Sequence, residues 1–407
     1  MIEGVIILCW TILLYAWLGY PLFLNLHDKR ASAAGHVGEW DPQSLPTIAV
    51  LLSAHNEEQH IAERVDNLLA LEYPAEKMTV RVGADGCTDD TVNIVQRQAS
   101  QHAGIFCHAV SERRGKAAML KDLVAQSAED ILVFTDANTQ FQPDTLTKLL
   151  KHFDDPTIGG VCGRLIFVSP KDFHADTPTL PYSDTSAEGV YWRWETELKE
   201  RESALDSCLG ANGAVYAVRR TLFWEDLPDN TIIDDFVIGM KVREQGFRMV
   251  YEPGALAYEA LPDQVLHEWG RRTRIGAGGY QALALCRECL LPRYGKFAWA
   301  FWSHKVLRWF SPHLILVLLI AGWISLSSSI RVNPIAVSAF PYLITPLAIS
   351  GLIAAWGLAG LLRRFRACPR PLRLVDHFMA MQAALFAGCL RFCRGNLKGY
   401  WQRTPRG

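Results

Sequence analysis

Hydrophobic residues follow two different patterns along this 407-residue chain. Long apolar runs predict helices that cross a membrane, one over residues 4–26 and a hairpin of two over residues 312–326 and 335–362. Between these runs, short apolar segments alternate with longer segments of helical periodicity, as strands and helices do in a doubly wound α/β domain. The sequence therefore predicts an α/β domain with transmembrane helices at both termini.

The middle of the chain contains four apolar runs that we predict to be strands, each followed by a predicted helix. The strands are predicted at residues 47–52, 79–83, 105–110 and 131–134, and the helices at 57–71, 89–101, 115–126 and from Pro143 onwards. Later segments predict a helix over residues 187–206, a Gly-rich turn and strand over 209–220, and a helix over 236–244.

Polar side chains follow three of the predicted strands. Asn56 and Glu57 come after the first strand, Asp85 after the second and Asp136 after the fourth. The carboxyl ends of parallel strands meet at one edge of a sheet, which is where such domains bind ligands. We therefore expect these residues to line a crevice for a nucleotide.

Asp136 and Asn138 are candidate metal ligands. They are two positions apart, so in an extended segment their side chains point the same way. Two oxygen donors at a strand end suit Mg²⁺ or Mn²⁺, which would also bind waters and substrate phosphates. The alternative is that Asp136 only caps the helix that follows it.

Gly115 and Lys116 begin a predicted helix between two strands that end in acids. Backbone N–H groups at a helix start, together with an ammonium group, favour an anion such as phosphate. The spacing is not that of a P-loop. An ordinary solvated basic turn is the alternative interpretation.

Net charge, cysteine spacing and the charges beside the first apolar run indicate the kind of partner and the cellular compartment. The net charge is −1, so nothing in the overall charge indicates nucleic acid. The ten cysteines lack the spacing of a disulfide scaffold, and the single CxxC at Cys286 and Cys289 indicates free thiols in a reducing compartment. Lys29 and Arg30 follow the first apolar run, so the positive-inside rule places the N-terminus outside and the next domain in the cytoplasm. A signal peptide cleaved near residues 31–33 is the alternative.

Four separated motifs together resemble the family 2 inverting glycosyltransferases, which have a GT-A fold. They are the segment 50–91 with its HNEE and ADGCTDD sequences, Gly115-Lys116, the TDAN sequence at 135–138, and Ile233-Asp234-Asp235. The resemblance covers about residues 46–283 and is strongest to the membrane-embedded branch, which includes cellulose, hyaluronan and poly-N-acetylglucosamine synthases.

The resemblance implies a role for each motif. Asp85 would contact the uracil, with Asn56 and Glu57 also at the donor site, and Lys116 would lie by the diphosphate. Asp136 begins the motif that binds the metal in this family, with Asn138 as its second ligand position. Asp235 would be the catalytic base that removes the acceptor proton. Asp234 and Asp235 lead the predicted helix 236–244, so one could be its N-cap and the other the base; capping by both is the alternative.

Two positions depart from the family pattern. Asn138 stands where the family has a second acid, so the site carries one negative charge fewer. The family's QxxRW motif is replaced by Arg271, Arg272, Thr273, Arg274 and Ile275, and the missing Trp argues against processive synthesis. The arginines would neutralise a diphosphate leaving group, because a guanidinium grips phosphate oxygens bidentately. A basic interfacial helix against anionic lipid is the alternative.

The domain order follows from these segments. We expect an N-terminal transmembrane helix (1–27), a linker (28–45), the GT-A domain (46–283), interfacial amphipathic helices (284–310), a transmembrane hairpin (311–362), and a basic loop, interfacial or re-entrant helix and basic tail (363–407). A fourth span over residues 374–390 is the alternative for the last helix. Residues 170–186 are expected to form a lid or acceptor loop, followed by aromatic residues that either stack on a sugar or pack: Tyr191, Trp192 and Trp194.

The resemblance implies a multi-pass enzyme of a bacterial inner membrane. It would move a hexose or N-acetylhexosamine from a nucleoside diphosphate donor, expected to be UDP-linked, to a lipid-linked or polymeric glycan acceptor in surface or extracellular polysaccharide biosynthesis. The alternatives are a processive synthase that needs export subunits or a second copy of itself, and a catalytically dead scaffold or transport component. Membrane lipid is an expected partner, and nucleic acid is not.

Overall fold

A mixed sheet of eight strands forms the centre of the computed structural model, which describes residues 2–27, 45–168, 187–260, 265–332, 343–364 and 368–397. The strands lie in the order β3-β2-β1-β4-β7-β6-β8-β5. They are β1 (Ile48–Ala54), β2 (Met78–Asp85), β3 (Ile105–Val110), β4 (Ile131–Asp136), β5 (Thr139–Phe141), β6 (Ile158–Val168), β7 (Val215–Arg219) and β8 (Arg248–Ala260).

Helices cover both faces of the sheet and form the membrane-proximal layer. They are α1 (Ile2–Leu26), α2 (Ile61–Leu69), α3 (Thr91–Gln101), α4 (Lys116–Ala125), α5 (Thr145–Leu150), α6 (Ala187–Leu205), α7 (Asp234–Glu244), α8 (Val265–Leu285), α9 (Ser311–Val332), α10 (Ile344–Arg364) and α11 (Arg370–Cys393). A juxtamembrane helix precedes α9 and consists of the consecutive segments Lys296–Ala300, Phe301–Val306 and Leu307–Trp309, the second of which is π-helical. Short 3-10 turns lie at Ala75–Lys77, Lys151–Asp154, Arg220–Leu222, Arg287–Leu290 and Pro292–Tyr294.

The four strands predicted from the apolar runs form the parallel half of the sheet. β1 pairs in parallel with both β2 and β4, and β2 pairs in parallel with β3. Ser53 lies opposite Gly83 on one side and Asp136 on the other, so the carboxyl ends of these strands meet at one edge. The predicted alignment of the polar strand ends is confirmed.

The other half of the sheet is mixed. β7 is antiparallel to β4 and β6, β6 is parallel to β8, and β5 is antiparallel to β8. A doubly wound sheet alone does not account for this arrangement, which is that of a GT-A-like fold. β5, β6 and β8 were not predicted, because β6 contains three glycines and a proline interrupts β8.

Several element boundaries differ from the prediction. The helix expected from residue 57 begins at Ile61, after a turn at residues 58–60, and the Glu57 backbone N–H donates to the Thr91 hydroxyl. The linker up to residue 44, the 170–186 loop and residues 333–342 of the expected hairpin lie outside the described residues.

Two apolar cores lie on the two faces of the sheet. On one face, α2 and α5 pack against the strands through residues such as Ile61, Val65 and Leu146. On the other face, α4 and α7 pack through residues such as Leu120 and Val237, and that core continues into the juxtamembrane helix. The sheet therefore lies between two apolar cores, and one of them reaches the membrane-proximal layer.

Three of the described helices are long and apolar enough to cross a membrane: Ile2–Leu26, Ser311–Ser328 and Ile344–Arg363. This agrees with the three spans predicted from the sequence. Helix α11 is not among them. It packs along α8, where the backbones of Gly276 and Gly388 approach so closely that a methyl on Gly388 would lie 2.6 Å from the nitrogen of Ala277.

A buried polar cluster fastens α6 to the juxtamembrane helix. The Glu195 carboxylate accepts hydrogen bonds from Lys305 (2.8 Å) and Arg308 (2.9 Å) and lies 3.1 Å from His304 Nε2. Burial alone would raise the pKa of Glu195, but these three neighbours hold it well below the usual value. The polar side of this helix therefore faces the catalytic domain and not solvent.

The same cluster reaches the first membrane helix. Arg308 Nε donates to the carbonyl oxygen of Ala16, which lies in a π-helical turn of α1. The guanidinium lies 5.0 Å from the ring centroid of Trp17 and 4.2 Å from that of Trp194. Trp194 thus packs at the junction between the α/β domain and the first membrane helix. For this residue, packing is the alternative that the structure shows.

Candidate active site

Charged side chains from three elements converge at the carboxyl edge of the sheet. Lys116 is the first residue of α4, and the preceding Gly115 has a φ of 100°, which a residue with a side chain rarely adopts. The ammonium of Lys116 lies 2.7 Å from Asp136 Oδ1 at the end of β4. It also lies 3.8 Å from Asp234 Oδ2 at the start of α7. Lysine and acids that are far apart in sequence therefore form one group.

Gly213 lies at the centre of this group. A methyl group on its α-carbon would lie 3.3 Å from Lys116 Nζ, 3.4 Å from Asp235 Oδ2 and 3.6 Å from Asp136 Oδ2. Two carboxylates and an ammonium thus border one small space beside a backbone that has no side chain. We call this space the Gly213 cradle. The sequence predicted the Gly-rich turn and strand over residues 209–220 but did not single out Gly213.

Neither acid at the start of α7 is its N-cap, so the interpretation of one or both as caps was wrong. The N-cap residue is Ile233, and no side chain caps this helix. The two acids occupy the first turn, where the helix dipole favours negative charge. Asp235 Oδ1 accepts the N–H of Phe236 at 2.8 Å, which leaves Oδ2 for the cradle.

Asp234 is buried, with 5% of its surface exposed. Burial raises the pKa of Asp234 to about 6, and Asp235 and Asp136 add to the rise, although Lys116 opposes it. An acid that is enclosed in this way cannot reach an acceptor sugar from solvent. Its Oδ2 lies 3.8 Å from the Lys116 ammonium, so Asp234 adds a second negative charge beside that group.

Asp85 organises the loop that precedes α4. Its Oδ1 accepts the N–H of Arg114 at 2.7 Å, and its Oδ2 accepts the N–H of Gly115 at 2.8 Å. The carboxylate is 3% exposed. This arrangement fixes the start of α4, and with it Lys116. The expected contact with uracil stays a prediction.

Asn56 and Glu57 follow β1 at the same edge. Asn56 adopts a φ of 57°, and its Oδ1 accepts the N–H of Thr88 at 2.8 Å. The Glu57 N–H donates to Thr91 Oγ1, also at 2.8 Å. These bonds tie the end of β1 to the loop after Asp85, so the two parts of the expected nucleotide crevice are held together.

Asp136 and Asn138 do not lie in one extended segment, so the argument that their side chains are parallel was wrong. The chain turns at residues 137–138 between β4 and β5. Asp136 faces Lys116, whereas Asn138 Nδ2 donates to Glu259 Oε1 on β8 at 2.9 Å. Because the amide nitrogen is bound to this acceptor, the carbonyl oxygen of Asn138 points to the other side of the amide.

In the part of the chain that the structure describes, no group of three or more His, Cys, Asp or Glu side chains is arranged to hold a metal by itself. The donors at hand are the carboxylates of Asp136 and Asp235 at the cradle and the Asn138 carbonyl oxygen. Hard oxygen donors of this kind fit Mg²⁺ or Mn²⁺ when substrate phosphates complete the coordination.

The three arginines lie within helix α8. Successive helix residues are rotated by about 100°, so Arg272 lies on a different face from Arg271 and Arg274, which are three positions apart. Arg271 is exposed, and Arg272 Nη2 lies 3.3 Å from His377 Nδ1 on α11. Arg274 donates to the carbonyl oxygen of Ile232 at 3.3 Å; burial lowers its pKa, and the nearby Asp234 opposes that change. Arg274 is thus placed beside Asp234.

Sequence reasoning missed two further residues near these groups. Glu259 lies on β8, which was not predicted, so nothing in the sequence connected it with Asn138. Arg64 is fully buried and hydrogen-bonds to Thr135, the neighbour of Asp136. Its signal was available, because it lies three positions after Ile61 on the apolar face of α2.

The mixed sheet, the acids at its carboxyl edge and the lysine at the start of α4 define a GT-A-type glycosyltransferase domain. The sequence model of the family described as "Glycosyltransferase like family 2" matches residues 46–276, more than half of the chain. The chain belongs to this family, as the four motifs predicted.

Curated relatives match the same part of the chain. The poly-beta-1,6-N-acetyl-D-glucosamine synthase of Staphylococcus aureus (strain COL) is 26% identical over 246 residues, which are 59% of this chain and 56% of that protein. The synthase of the same name from Staphylococcus epidermidis is 24% identical over 284 residues, covering 65% of each. The chain thus spans a little over half the length of the S. aureus protein.

A solved structure matches nearly the whole chain. The mannosyltransferase PcManGT from Pyrobaculum calidifontis, in complex with GDP-Man and Mn²⁺, aligns with a TM-score of 0.65 and 22% identity over 97% of this chain and 99% of that one. The shared fold therefore extends beyond the catalytic domain to the helices at both ends. The predicted GT-A fold is confirmed.

Proposed function

We propose that this protein is an inverting glycosyltransferase that moves an N-acetylhexosamine from a UDP-linked donor to a membrane-associated glycan acceptor. The observation that carries the proposal is the Gly213 cradle, where Asp136, Asp235 and Lys116 border one space at the carboxyl edge of the sheet. The choice of sugar and of polysaccharide biosynthesis is supported by the names of the staphylococcal relatives.

The donor would lie along the ends of β1, β2 and β4. Its uracil would lie near Asp85 and Asn56, and its diphosphate beside Lys116. Asp136, with the carbonyl oxygen of Asn138, would hold Mg²⁺ or Mn²⁺ once the diphosphate is bound. Bound there, the ion would neutralise charge on the diphosphate.

Transfer with inversion is a single displacement. A hydroxyl oxygen of the acceptor forms a bond to the anomeric carbon while the bond from that carbon to the diphosphate oxygen breaks. The hydroxyl proton passes to Oδ2 of Asp235, which is aimed into the cradle. The departing UDP gains negative charge, which the ammonium of Lys116 and the guanidinium of Arg274 stabilise. Asp234 keeps Lys116 in place.

The acceptor would arrive from the membrane side. Three of the described helices are long and apolar enough to cross a membrane, and the buried cluster around Glu195 joins α6 to α1 and to the juxtamembrane helix. The positive-inside rule puts the catalytic domain and the basic residues 363–373 in the cytoplasm of a bacterium, with α11 lying at the membrane surface.

Processive synthesis is a second candidate, supported by the named function of the staphylococcal relatives. Against it, Ile275 stands where polymer synthases have a tryptophan, and its side chain is 40% exposed, so no aromatic ring is offered to a growing chain at this position. The size distribution of the product distinguishes single transfer from polymerisation. A partner subunit or a second copy would be needed for export of a polymer.

A donor screen tests the proposal. Purified protein in lipid nanodiscs is incubated with a panel of UDP- and GDP-sugars, and nucleotide release is measured with Mn²⁺, with Mg²⁺ and with chelator. We expect release from a UDP-N-acetylhexosamine, loss of release in chelator, loss in Asp136→Ala, and retained or higher release in Asn138→Asp, which adds a carboxylate ligand. Absence of release from every donor would support a dead scaffold, and full release in chelator would refute the metal assignment.

A further inference from the structure

Arg64 on α2 is a buried cation that the mechanism above does not use. Its side chain has no exposed surface, and its Nε has no hydrogen-bond partner. Its guanidinium bonds only to the uncharged groups of Asn67 and Thr135 and lies 4.3 Å from the centroid of the Phe141 ring. Within the described residues, no carboxylate forms an ion pair with it.

A buried charge without an ion-pair partner costs stability, and an apolar side chain of the same size would avoid that cost. Packing of the core alone therefore does not explain why a guanidinium occupies this position. Burial lowers the pKa of Arg64, and the negative charge of the Asp136 carboxylate opposes that change. We therefore look for the role of the Arg64 charge at the candidate active site, which contains Asp136.

Arg64 and its neighbour Asn67 hold both strands that flank the turn at residues 137–138. On the β4 side, Arg64 Nη2 donates to Thr135 Oγ1 at 2.8 Å, and that hydroxyl donates to the Ala214 carbonyl, also at 2.8 Å. Ala214 follows Gly213, so this chain of bonds reaches the cradle.

On the β5 side, the contacts pass through the amide of Asn67. Its Oδ1 accepts from both Arg64 Nη1 and the Phe141 N–H, and its Nδ2 donates to the Phe141 carbonyl at 3.0 Å. The fork of one guanidinium thus connects the strand before the turn with the strand after it. A lysine would keep the charge but could not make both connections.

We propose that Arg64 is a positioning residue of the transfer site, which fixes the turn carrying Asp136 and Asn138 and adds a buried positive charge that acts on Asp136. This rests on the proposed function, in which that turn meets a nucleoside diphosphate and a divalent cation. The charge attracts the anionic diphosphate and repels the cation, so it makes cation binding depend on prior binding of the donor.

The two ligand affinities should change in opposite directions when the charge is removed. In Arg64→Met, UDP measured by calorimetry in chelator should bind about five-fold more weakly, the size expected for one partly screened charge several ångströms away. Mn²⁺ measured by electron paramagnetic resonance on the UDP-loaded protein should bind about five-fold more tightly for the same reason. A lesion that merely loosened the fold would weaken both.

Arg64→Lys separates charge from geometry. Both affinities should stay at the wild-type values, while kcat for transfer should fall roughly ten-fold, because the turn loses its connection to one strand. Arg81→Met is the matched control. Arg81 lies on β2 of the same domain, 3.2 Å from Glu129 and over the Phe106 ring, so its loss should lower the melting temperature and leave both affinities unchanged.

The results decide between this inference and the proposed function. Opposite changes in Arg64→Met, or unchanged affinities with lowered kcat in Arg64→Lys if Arg64→Met does not fold, would support the role of Arg64. Parallel weakening of UDP and Mn²⁺ in both variants, or behaviour like Arg81→Met, would overturn it while the proposed function stands. Wild-type protein that binds neither UDP nor Mn²⁺ would overturn both.

Discussion

Substitution of Gly213 by alanine tests whether the cradle is where the donor reacts. The added methyl would lie 3.3 Å from Lys116 Nζ and 3.4 Å from Asp235 Oδ2. These are tight but tolerable contacts, and Gly213 is not among the glycines with a positive φ. Because Lys116 is flexible and needs to move only a few tenths of an ångström, we expect a loss of less than about 1 kcal/mol in the free energy of unfolding.

The effect on transfer should be much larger. The methyl occupies the space between the two carboxylates and the ammonium, and it lengthens the 2.7 Å contact between Lys116 and Asp136. A donor diphosphate displaced by about 1 Å from its reacting position typically loses about 10²-fold in rate. We therefore expect kcat/KM to fall about 100-fold, or about 2.7 kcal/mol in transition-state stabilisation.

The assay combines steady-state transfer with thermal unfolding, and Gly246→Ala is the control. Gly246 lies just beyond the far end of α7 with a φ of 95° and no atom within 4 Å of an added methyl. Alanine there should cost about 1 kcal/mol of stability through backbone strain and leave transfer unchanged. A Gly213→Ala enzyme that transfers sugar at the wild-type rate would show that the cradle is not the reaction site.

Three other substitutions and one labelling map follow from the structure. Asp235→Asn should lower transfer by ~10²–10⁴-fold while UDP affinity holds, because only the proton acceptor is lost; active Asp235→Asn with dead Asp234→Asn would reverse the roles of the two acids. Burial raises the pKa of Asp234 to about 6 from 3.8, so ionisation of Asp234 destabilises the folded state progressively between about pH 4 and pH 6 and fully above pH 6. Asp234→Asn should therefore be more stable at about pH 8, by on the order of 1–3 kcal/mol, and no different below about pH 4 in pH-dependent unfolding. Glu195→Gln should cost about 3–5 kcal/mol in the free energy of unfolding, because it leaves the cations of Lys305 and Arg308 without their carboxylate; an unchanged unfolding midpoint would show that the cluster does not fasten α6 to the membrane layer. Cysteine-labelling should find residue 1 outside and residues 46–279, 363–373 and 391–406 inside, and labelling of the tail from outside alone would mean that α11 spans the membrane.

The parallel half of the sheet was predictable because its strands are short, apolar and β-branched. Ile131–Asp136 and Ile105–Val110 show this clearly, and the first ends in the acid that sequence reasoning made central. Lys116, Asp136 and Asp235 were each assigned separately by motif, and they meet because helices α4 and α7 begin at the edge of the sheet where β4 ends. Such residues can be predicted from the sequence because each belongs to a short motif beside the end of a strand or the start of a helix.

The antiparallel half was hidden for physical reasons. In β6, glycines at 159, 160 and 163 take the place of side chains because neighbouring side chains and backbone leave no room for a Cβ, so the usual strand composition is missing. β8 carries Pro253 and Gly254 in its middle. The close contacts in β6 and in β8 exist only in the assembled sheet, so a local sequence pattern cannot reveal them.

The site differed from expectation where tertiary contacts override sequence spacing. The 137–138 turn separates Asn138 from Asp136 and directs its amide nitrogen to Glu259. Helix α8 turns Arg272 towards α11 and leaves Arg274 beside the acids. An argument from residue spacing assumes one kind of secondary structure. Here Asn138 lies in a turn, and the arginines lie in a helix.

The central claim is that Asp235 and the cradle transfer a sugar from a UDP-linked donor with inversion. The most direct measurement incubates radiolabelled UDP-N-acetylhexosamine with nanodiscs of wild-type or Asp235→Asn protein and the lipid extract of the native membrane. Label is then counted in the glycan fraction, and the new anomeric linkage is determined by NMR. We predict β-linked label from the α-linked donor with wild-type protein and none above background with Asp235→Asn. Label of retained α configuration, or equal incorporation by Asp235→Asn, would contradict the account.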